Sequence, residues 1–383
     1  MAGYIEAQEQ RHKLMPMTKR RSLHSSHQEF PHSTIIWRKE IPLFLHKKKR
    51  RQIINNLNLI KMKKYPSIEQ FRNVIRNVKS NHDYKGKDEE GKAIYQHTEN
   101  YPTLKFIGTV KLHGTNAGIV DYGDRIEFQS RERVLSLNED NAGFMTAMSV
   151  KNLDFLFEKF KPTEYVAIYG EWCGGNVQKG VAINGLEKMF VIFGVMVDDN
   201  WVDLPTDLHK NEIGIYNILQ FPTYEIDIDF NNPETIQNKL IEMTISVEDE
   251  CPVGKFFDKS GVGEGIVFTC VTNQELKFKS KGEKHSASKV KVLNTIDVEA
   301  MASINEFVEM AVSENRLEQG ISFFKENNIL IDAKNTGEFL RWIVTDVLKE
   351  EKDTLEVSGL DEKKVKNAIV TKARIWFKDK IFP

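Results

Sequence analysis

The hydrophobic pattern of this 383-residue chain changes its period once, and that change limits the fold more than any other feature. Up to about residue 280 the apolar residues fall in short, β-rich runs. Leu104–Val110, Ala117–Val120, Arg125–Gln129, Tyr165–Trp172, Met189–Val197, Gly265–Val271 and Glu275–Lys279 each read as a strand. Two helices are expected among them. One follows Ser67 and Gln70, spaced as a capping box, and shows Ile68, Phe71, Val74, Ile75 and Val78 on one face. The other covers Met145–Phe160. After about Val290 the spacing turns helical. Ile296, Met301, Ile304, Phe307, Val308 and Ala311 form one series. Phe339, Leu340, Ile343, Val344, Val347 and Leu348 form a second, and Val365, Ile369, Ala373 and Phe377 a third. The pattern predicts an α+β domain over residues 62–290 and a small all-helical domain over residues 291–383.

Charge divides the chain differently. Residues 1–64 hold 15 Lys and Arg against 4 Asp and Glu, whereas residues 65–383 hold 39 against 51. A basic arm therefore precedes an acidic body. If the body handles nucleic acid, its positive charge must be concentrated in a site. The arm, residues 1–61, shows no sustained period and contains the run Lys47-Lys48-Lys49-Arg50-Arg51. It reads as a disordered or weakly helical segment. A nuclear address, a nucleic-acid-binding arm, or a natural start at Met62 are the other readings.

The three cysteines, Cys173, Cys251 and Cys270, include no CxxC pair, so a disulfide framework or structural zinc site is not expected and a reducing compartment fits. No apolar run reaches the roughly 18 residues of a membrane helix. An intracellular, cytoplasmic monomer with no membrane partner is the expectation, with the nucleus or an organelle left open by the arm.

The most specific short segment is Lys111-Leu112-His113-Gly114-Thr115-Asn116, placed where a strand runs into a glycine turn. The glycine lets the backbone approach a ligand closely, and the lysine stands at the lip of a pocket. Five specified positions recur by chance in roughly one chain in ten thousand of this length.

This segment resembles the nucleophile motif of the phage RNA ligase 2 family, which includes the RNA-editing ligases of trypanosomes. That family belongs to the covalent nucleotidyltransferases, with DNA ligases and mRNA-capping enzymes. The resemblance continues in order. Phe128-Gln129-Ser130-Arg131 is similar to the next motif, Tyr169-Gly170-Glu171-Trp172-Cys173-Gly174 to motif III, with Val177-Gln178-Lys179 after it. Phe190-Val191-Ile192-Phe193 is similar to motif IIIa, Glu264-Gly265-Ile266-Val267 to motif IV, and Leu276-Lys277-Phe278-Lys279 to motif V. The likeness covers about residues 65–290. The helical tail resembles the family's C-terminal domain only in character, and residues 1–61 have no counterpart.

The resemblance implies antiparallel, ATP-grasp-like sheets around a nucleotide cleft, ATP and Mg2+ (or Mn2+) as cofactors, and a covalent AMP on Lys111. It implies that Glu171 bonds the ribose hydroxyls, Phe190 stacks on adenine, Glu264 binds the metal or an active-site lysine, and Lys277 and Lys279 bind the α-phosphate. Asn116 and Arg131 would hold RNA ends, and His113 would serve the transfer steps. DNA ligases and capping enzymes usually carry aspartate where His113 stands and arginine where Asn116 stands, so this form points to RNA.

The residue chemistry supports parts of this independently. A lysine nucleophile must first lose a proton, which costs about 4 kcal/mol at pH 7.5 from a reference pKa near 10.4. Nearby cations or a metal reduce that cost. Lys277 and Lys279 alternate with Phe278 and so share one strand face. Each residue also has a plainer reading. The lysine pair could be a solvated face, Glu171 a structural ion pair, Glu264 a turn acid, Phe190 a core residue and His113 a backbone-bonded turn residue. Lys363, Lys364, Lys366, Lys372 and Arg374 in the tail could contact RNA phosphates or simply face water.

The function expected is an ATP-dependent RNA ligase joining 3′-hydroxyl and 5′-phosphate ends, on nicked duplex RNA or bridged ends. Its rivals are a DNA ligase or capping-type enzyme, and a non-catalytic RNA-end-binding protein.

Overall fold

The computed structural model describes residues 36–37, 62–178, 180–282 and 303–382. Two antiparallel-rich sheets dominate the first part. The larger contains β1 (Ile36–Trp37), β6 (Thr115–Asp121), β7 (Arg125–Ser130), β8 (Val166–Cys173), β9 (Met189–Val197), β10 (Asn200–Val202) and β11 (Ile215–Asn217). Their order is β1-β7-β6-β8-β9-β10, with β11 parallel to β9. The smaller sheet runs β12-β5-β13-β14-β2, from β2 (Glu69–Gln70), β5 (Thr103–Lys111), β12 (Thr223–Asp229), β13 (Gly265–Cys270) and β14 (Lys277–Lys281). A separate hairpin pairs β3 (Tyr84–Lys87) with β4 (Ala93–Tyr95).

Alternation along the strands of the smaller sheet decides which side chains meet the ligand space. Phe106, Val110, Ile266, Phe268 and Phe278 point into one core with α1 (Phe71–Asp83) and α3 (Gln237–Asp249). The opposite face carries Thr109, Lys111, Val267, Thr269, Lys279 and Lys281, all of which line a cleft. In the larger sheet, Ala117, Ile119, Ile168, Trp172, Phe190 and Ile192 face a second core with α2 (Phe144–Met148). The chain crosses from the smaller sheet to the larger between Lys111 and Thr115.

The helical tail packs α5 (Ile304–Ala311), α6 (Glu314–Glu326), α7 (Thr336–Glu350), α8 (Lys352–Ser358) and α9 (Glu362–Ile381) round Phe307, Phe324, Phe339, Ile343, Val365, Ile369 and Phe377. Ser303, Ser313 and Asp361 cap α5, α6 and α9 with side-chain oxygens on backbone N–H groups. No described helix is long and apolar enough to cross a membrane. All three cysteines are free and buried.

Three expectations change. The capping box at Ser67 does not form: α1 begins at Phe71 behind Gln70, which gives no side-chain cap, because Glu69 and Gln70 pair with β14. The apolar face Phe71, Val74, Ile75 and Val78 is nevertheless buried. The helix expected over Met145–Phe160 stops at Met148, and only a 3-10 turn at Asp154–Leu156 follows. Asn152 accepts from the Asp154 N–H and restarts the chain there, while Leu153 and Leu156 still reach the core. Of the arm, the described part is Ile36–Trp37, which pairs with Arg125 and Ile126 at the edge of the larger sheet. The rest of the arm, Ile296, Met301 and the expected boundary near residue 290 lie outside the described residues.

Phe278 anchors the smaller sheet, its ring 4.9 Å from Phe268 and 4.7 Å from Phe71. Phe278→Ala is expected to cost about 3–5 kcal/mol, read by urea denaturation.

Candidate active site

Lys111 ends β5 on the cleft face, opposite Gly265 of β13. Glu264, the residue just before that strand, is only 3% exposed. Its Oε2 lies 2.8 Å from Lys111 Nζ and 3.2 Å from His113 Nδ1, and its Oε1 lies 2.8 Å from Lys281 Nζ. Burial pushes the Glu264 carboxyl up, but the two ammoniums and the histidine outweigh it and hold the group well below the usual carboxylate range. Burial, opposed by Glu264, pulls the Lys281 ammonium down.

Two glycines make this approach possible. A Cβ on Gly265, which has a φ of +145°, would stand 2.0 Å from the Ser280 carbonyl oxygen. That would part β13 from β14 where Glu264 meets Lys281. A Cβ on Gly114 would stand 2.4 Å from the Trp172 carbonyl oxygen. With no side chain there, the Gly114 N–H donates to Glu171 Oε1 at 3.0 Å. Glu171 sits on β8 opposite Asn116. Burial pushes its carboxyl up to about 8; Lys111 works against the shift and Glu264 adds to it.

The cleft has a volume of about 1000 Å3 and lies between the sheets and the helical tail. Lys111, His113, Asn116, Arg131, Glu171, Glu264 and Lys279 all line it. Two expected residues do not. Phe190 is fully buried in the outer core, 5.1 Å from the Phe144 ring, so it is not available to stack on a base. Phe193, an odd number of residues further along the strand, has the opposite orientation and lines the cleft with Tyr65. The β8–β9 register slips at that residue, between the Tyr169–Gly194 and Gly170–Ile192 pairs.

Lys277 shares the face of Lys279, as alternation requires, but lies at the far end of β14. Its ammonium sits 4.0 Å over the Trp201 ring and 5.4 Å over the Tyr65 ring. Burial pulls it down to about 8. The lysine pair nearest the nucleophile position is therefore Lys279 and Lys281. The sequence held the signal: Lys281 continues the alternation of 277 and 279, and the hairpin sets it opposite Gly265.

In the tail, Lys366 pairs with Glu362 and Lys372 with Glu309. None of the five basic residues singled out there lines the cleft, whereas Lys325, Lys349 and Lys380 do. Lys179 lies outside the described residues.

Among known proteins, residues 104–291 match the RNA ligase family. No curated protein matches the chain. Solved structures that resemble it include a Naegleria gruberi RNA ligase with pyrophosphate, at 18% identity and a TM-score of 0.37, covering 58% of this chain and 56% of that one. A variant of that ligase with AMP and manganese matches at 17% identity and a TM-score of 0.37, over 58% and 56% of the two chains. Another with ATP and manganese matches at 16% and 0.35, over 57% and 56%. This chain thus spans less than two thirds of the length of those solved chains.

Glu264→Ala leaves two half-buried ammoniums without their shared counter-charge, and is expected to cost about 3 kcal/mol by urea denaturation. Lys277→Met keeps the packing against Trp201 and removes a buried charge. The folded pKa of Lys277, about 8, lies below its ordinary 10.5, so between those values the unfolded chain binds more protons. Wild-type stability relative to Lys277→Met is therefore expected to rise with pH from about 8 towards 10.5, measured by denaturation across that window.

Proposed function

We propose, for a chain whose residues 104–291 match the RNA ligase family, that it is an ATP-dependent RNA ligase acting through a lysyl-AMP on Lys111. The observation that carries this reading is the cluster of Lys111 and Lys281 on the buried Glu264 carboxylate. Two ammoniums against one carboxylate leave a net positive charge at the mouth of a cleft that Lys279 extends. An α-phosphate supplies the missing anion. As it binds, Lys281 and Lys279 can hold its oxygens, and Lys111 is left to act as the nucleophile.

In the first step the Lys111 nitrogen, having lost a proton, forms a bond to the α-phosphorus while the bond to pyrophosphate breaks. In the second, the RNA 5′-phosphate displaces Lys111 from AMP. In the third, the RNA 3′-hydroxyl attacks the activated 5′-phosphate, the RNA phosphodiester forms and AMP leaves. Glu171 fits a ribose partner, since it lines the cleft while its Oε1 accepts from the Gly114 N–H. Phe193 and Tyr65 offer ring surface for adenine on the cleft side. Asn116 and Arg131 lie where they can hold RNA ends, and His113, through Glu264, is coupled to the transfer centre.

The residues fit a magnesium or manganese ion that ATP phosphates largely coordinate. Glu264 is the carboxylate beside Lys111, and one or two carboxylates suffice for such an ion. Among the described residues no group of three or more His, Cys, Asp or Glu forms a cage. When bound, the ion would neutralise charge developing on the phosphate oxygens.

The test incubates the protein with magnesium and α-32P-labelled ATP, without RNA, and looks for label on denatured chains that resists alkali and is released by hot acid, as a lysine phosphoramidate is. Wild type is expected to take up label and Lys111→Ala none. Lys281→Ala is expected to lose about 100-fold or more in labelling rate, the scale for removing one preorganised group. Asn116→Ala and Arg131→Ala are expected to label normally and to lose about 10-fold or more in sealing of a nicked RNA duplex. Faster sealing of DNA than RNA 3′-ends would overturn the RNA assignment, and no label on folded wild type would leave a non-catalytic RNA-end binder.

A further inference from the structure

The helical tail places acidic side chains where the proposed reaction requires phosphates. The clearest is Glu350, at the end of α7. Its Oε2 lies 3.6 Å from Lys279 Nζ and accepts from Gln70 Nε2 at 2.9 Å. Arg72 at the start of α1 donates to the Glu350 carbonyl oxygen at 2.6 Å and to Glu351 Oε2 at 3.2 Å. Glu351 is fixed in turn by Arg316, at 2.9 Å, and Arg316 also meets Asp346 at 3.0 Å. The carboxylate on Lys279 is thus the tip of a docked network and not a loose side chain. Burial pushes the Glu350 carboxyl up, but Lys279 and the Gln70 bond more than offset it and keep the group below the usual range, so it is an anion at neutral pH.

A second tail acid, Glu326 at the end of α6, lines the same cleft as Arg131, and there burial outweighs the Thr115 bond and the Arg131 charge and holds its carboxyl above the usual range. Lys279 is the phosphate-binding position that a tail carboxylate meets directly.

We propose that the helical domain is an electrostatic plug, in which Glu350 competes with the phosphates of ATP for Lys279, so that nucleotide binding and this docked arrangement oppose each other. This rests on the nucleotide-site reading of the cleft. One anion can be replaced by another at Lys279, but both cannot occupy the same side of one ammonium. The helical domain must then release Glu350 from Lys279 when nucleotide enters, and the cleft becomes available to RNA as the plug is withdrawn. The affinity seen for nucleotide is the intrinsic affinity reduced by the fraction of chains undocked.

The test measures calorimetric binding of α,β-methylene-ATP with magnesium, an analogue that cannot transfer AMP, to wild type, Glu350→Gln and Arg72→Ala. Glu350→Gln keeps the side-chain size and removes the charge; Arg72→Ala loosens the docking away from the lysines. Covalent labelling from α-32P-ATP is followed in parallel. Both variants are expected to bind the analogue about 10-fold more tightly, the change for a plug docked about nine-tenths of the time. Equal or weaker binding by folded Glu350→Gln overturns the plug, even where all chains take up label. Tighter binding in both variants without label on any chain supports the plug and removes the lysyl-AMP reading instead.

Discussion

Glu264 is a carboxylate almost wholly withdrawn from water, and it is tolerable there because three partners from two stretches of the sequence surround it. Lys111 arrives from the end of β5, His113 from the turn that leads into the larger sheet, and Lys281 from the end of β14. An isolated buried charge would be driven to neutrality, so the fold must deliver these partners together. That demand explains why β5, β13 and β14 are hydrogen-bonded neighbours in this order, and why glycines stand at 114 and 265. The same charges make the site. A cluster held together by a surplus of cations is stable without ligand and still has an unmet need for a phosphate.

The acidic body follows the same logic on a larger scale. Residues 65–383 carry more acid than base, and the cleft sets Lys111, Lys279 and Lys281 on the smaller sheet and Arg131 just past β7 of the larger. Elsewhere lysines are spent on local pairs, as in Lys366 with Glu362. The tail meets these cations with acids of its own, as Glu350 meets Lys279.

Much of the fold was legible because strands and helices write different periods. Met189–Val197 and the tail helices α7 and α9 appear where the pattern places them, whereas α6 and α8 went unread. Errors came where a local signal met a tertiary claim. Ser67 and Gln70 have the spacing of a cap, but β14 takes Gln70 for its edge. Thr223–Asp229 alternates Ile226 and Ile228 with acids, a plain strand signal that reading by motif passes over. Within the site, the order of motifs identified the residues that line the cleft, but not their facing. Phe190 and Phe193 differ by an odd number along one strand, so one must face away from the nucleotide space. Lys277 and Lys281 share a face with Lys279, and only the register with Gly265 tells which of them stands beside the nucleophile. Glu350 and Glu326 had no signal at all, since the tail's docking is a property of three dimensions.

Lys111 and Glu171 belong to different sheets, joined by the chain at residues 111–115. AMP held by its ribose on one sheet and its phosphate on the other would span that joint as a strap. Its length is fixed by covalent chemistry, so it would gauge the gap between the sheets as well as fill it. A bound nucleotide would then act as a structural member, tying one sheet to the other.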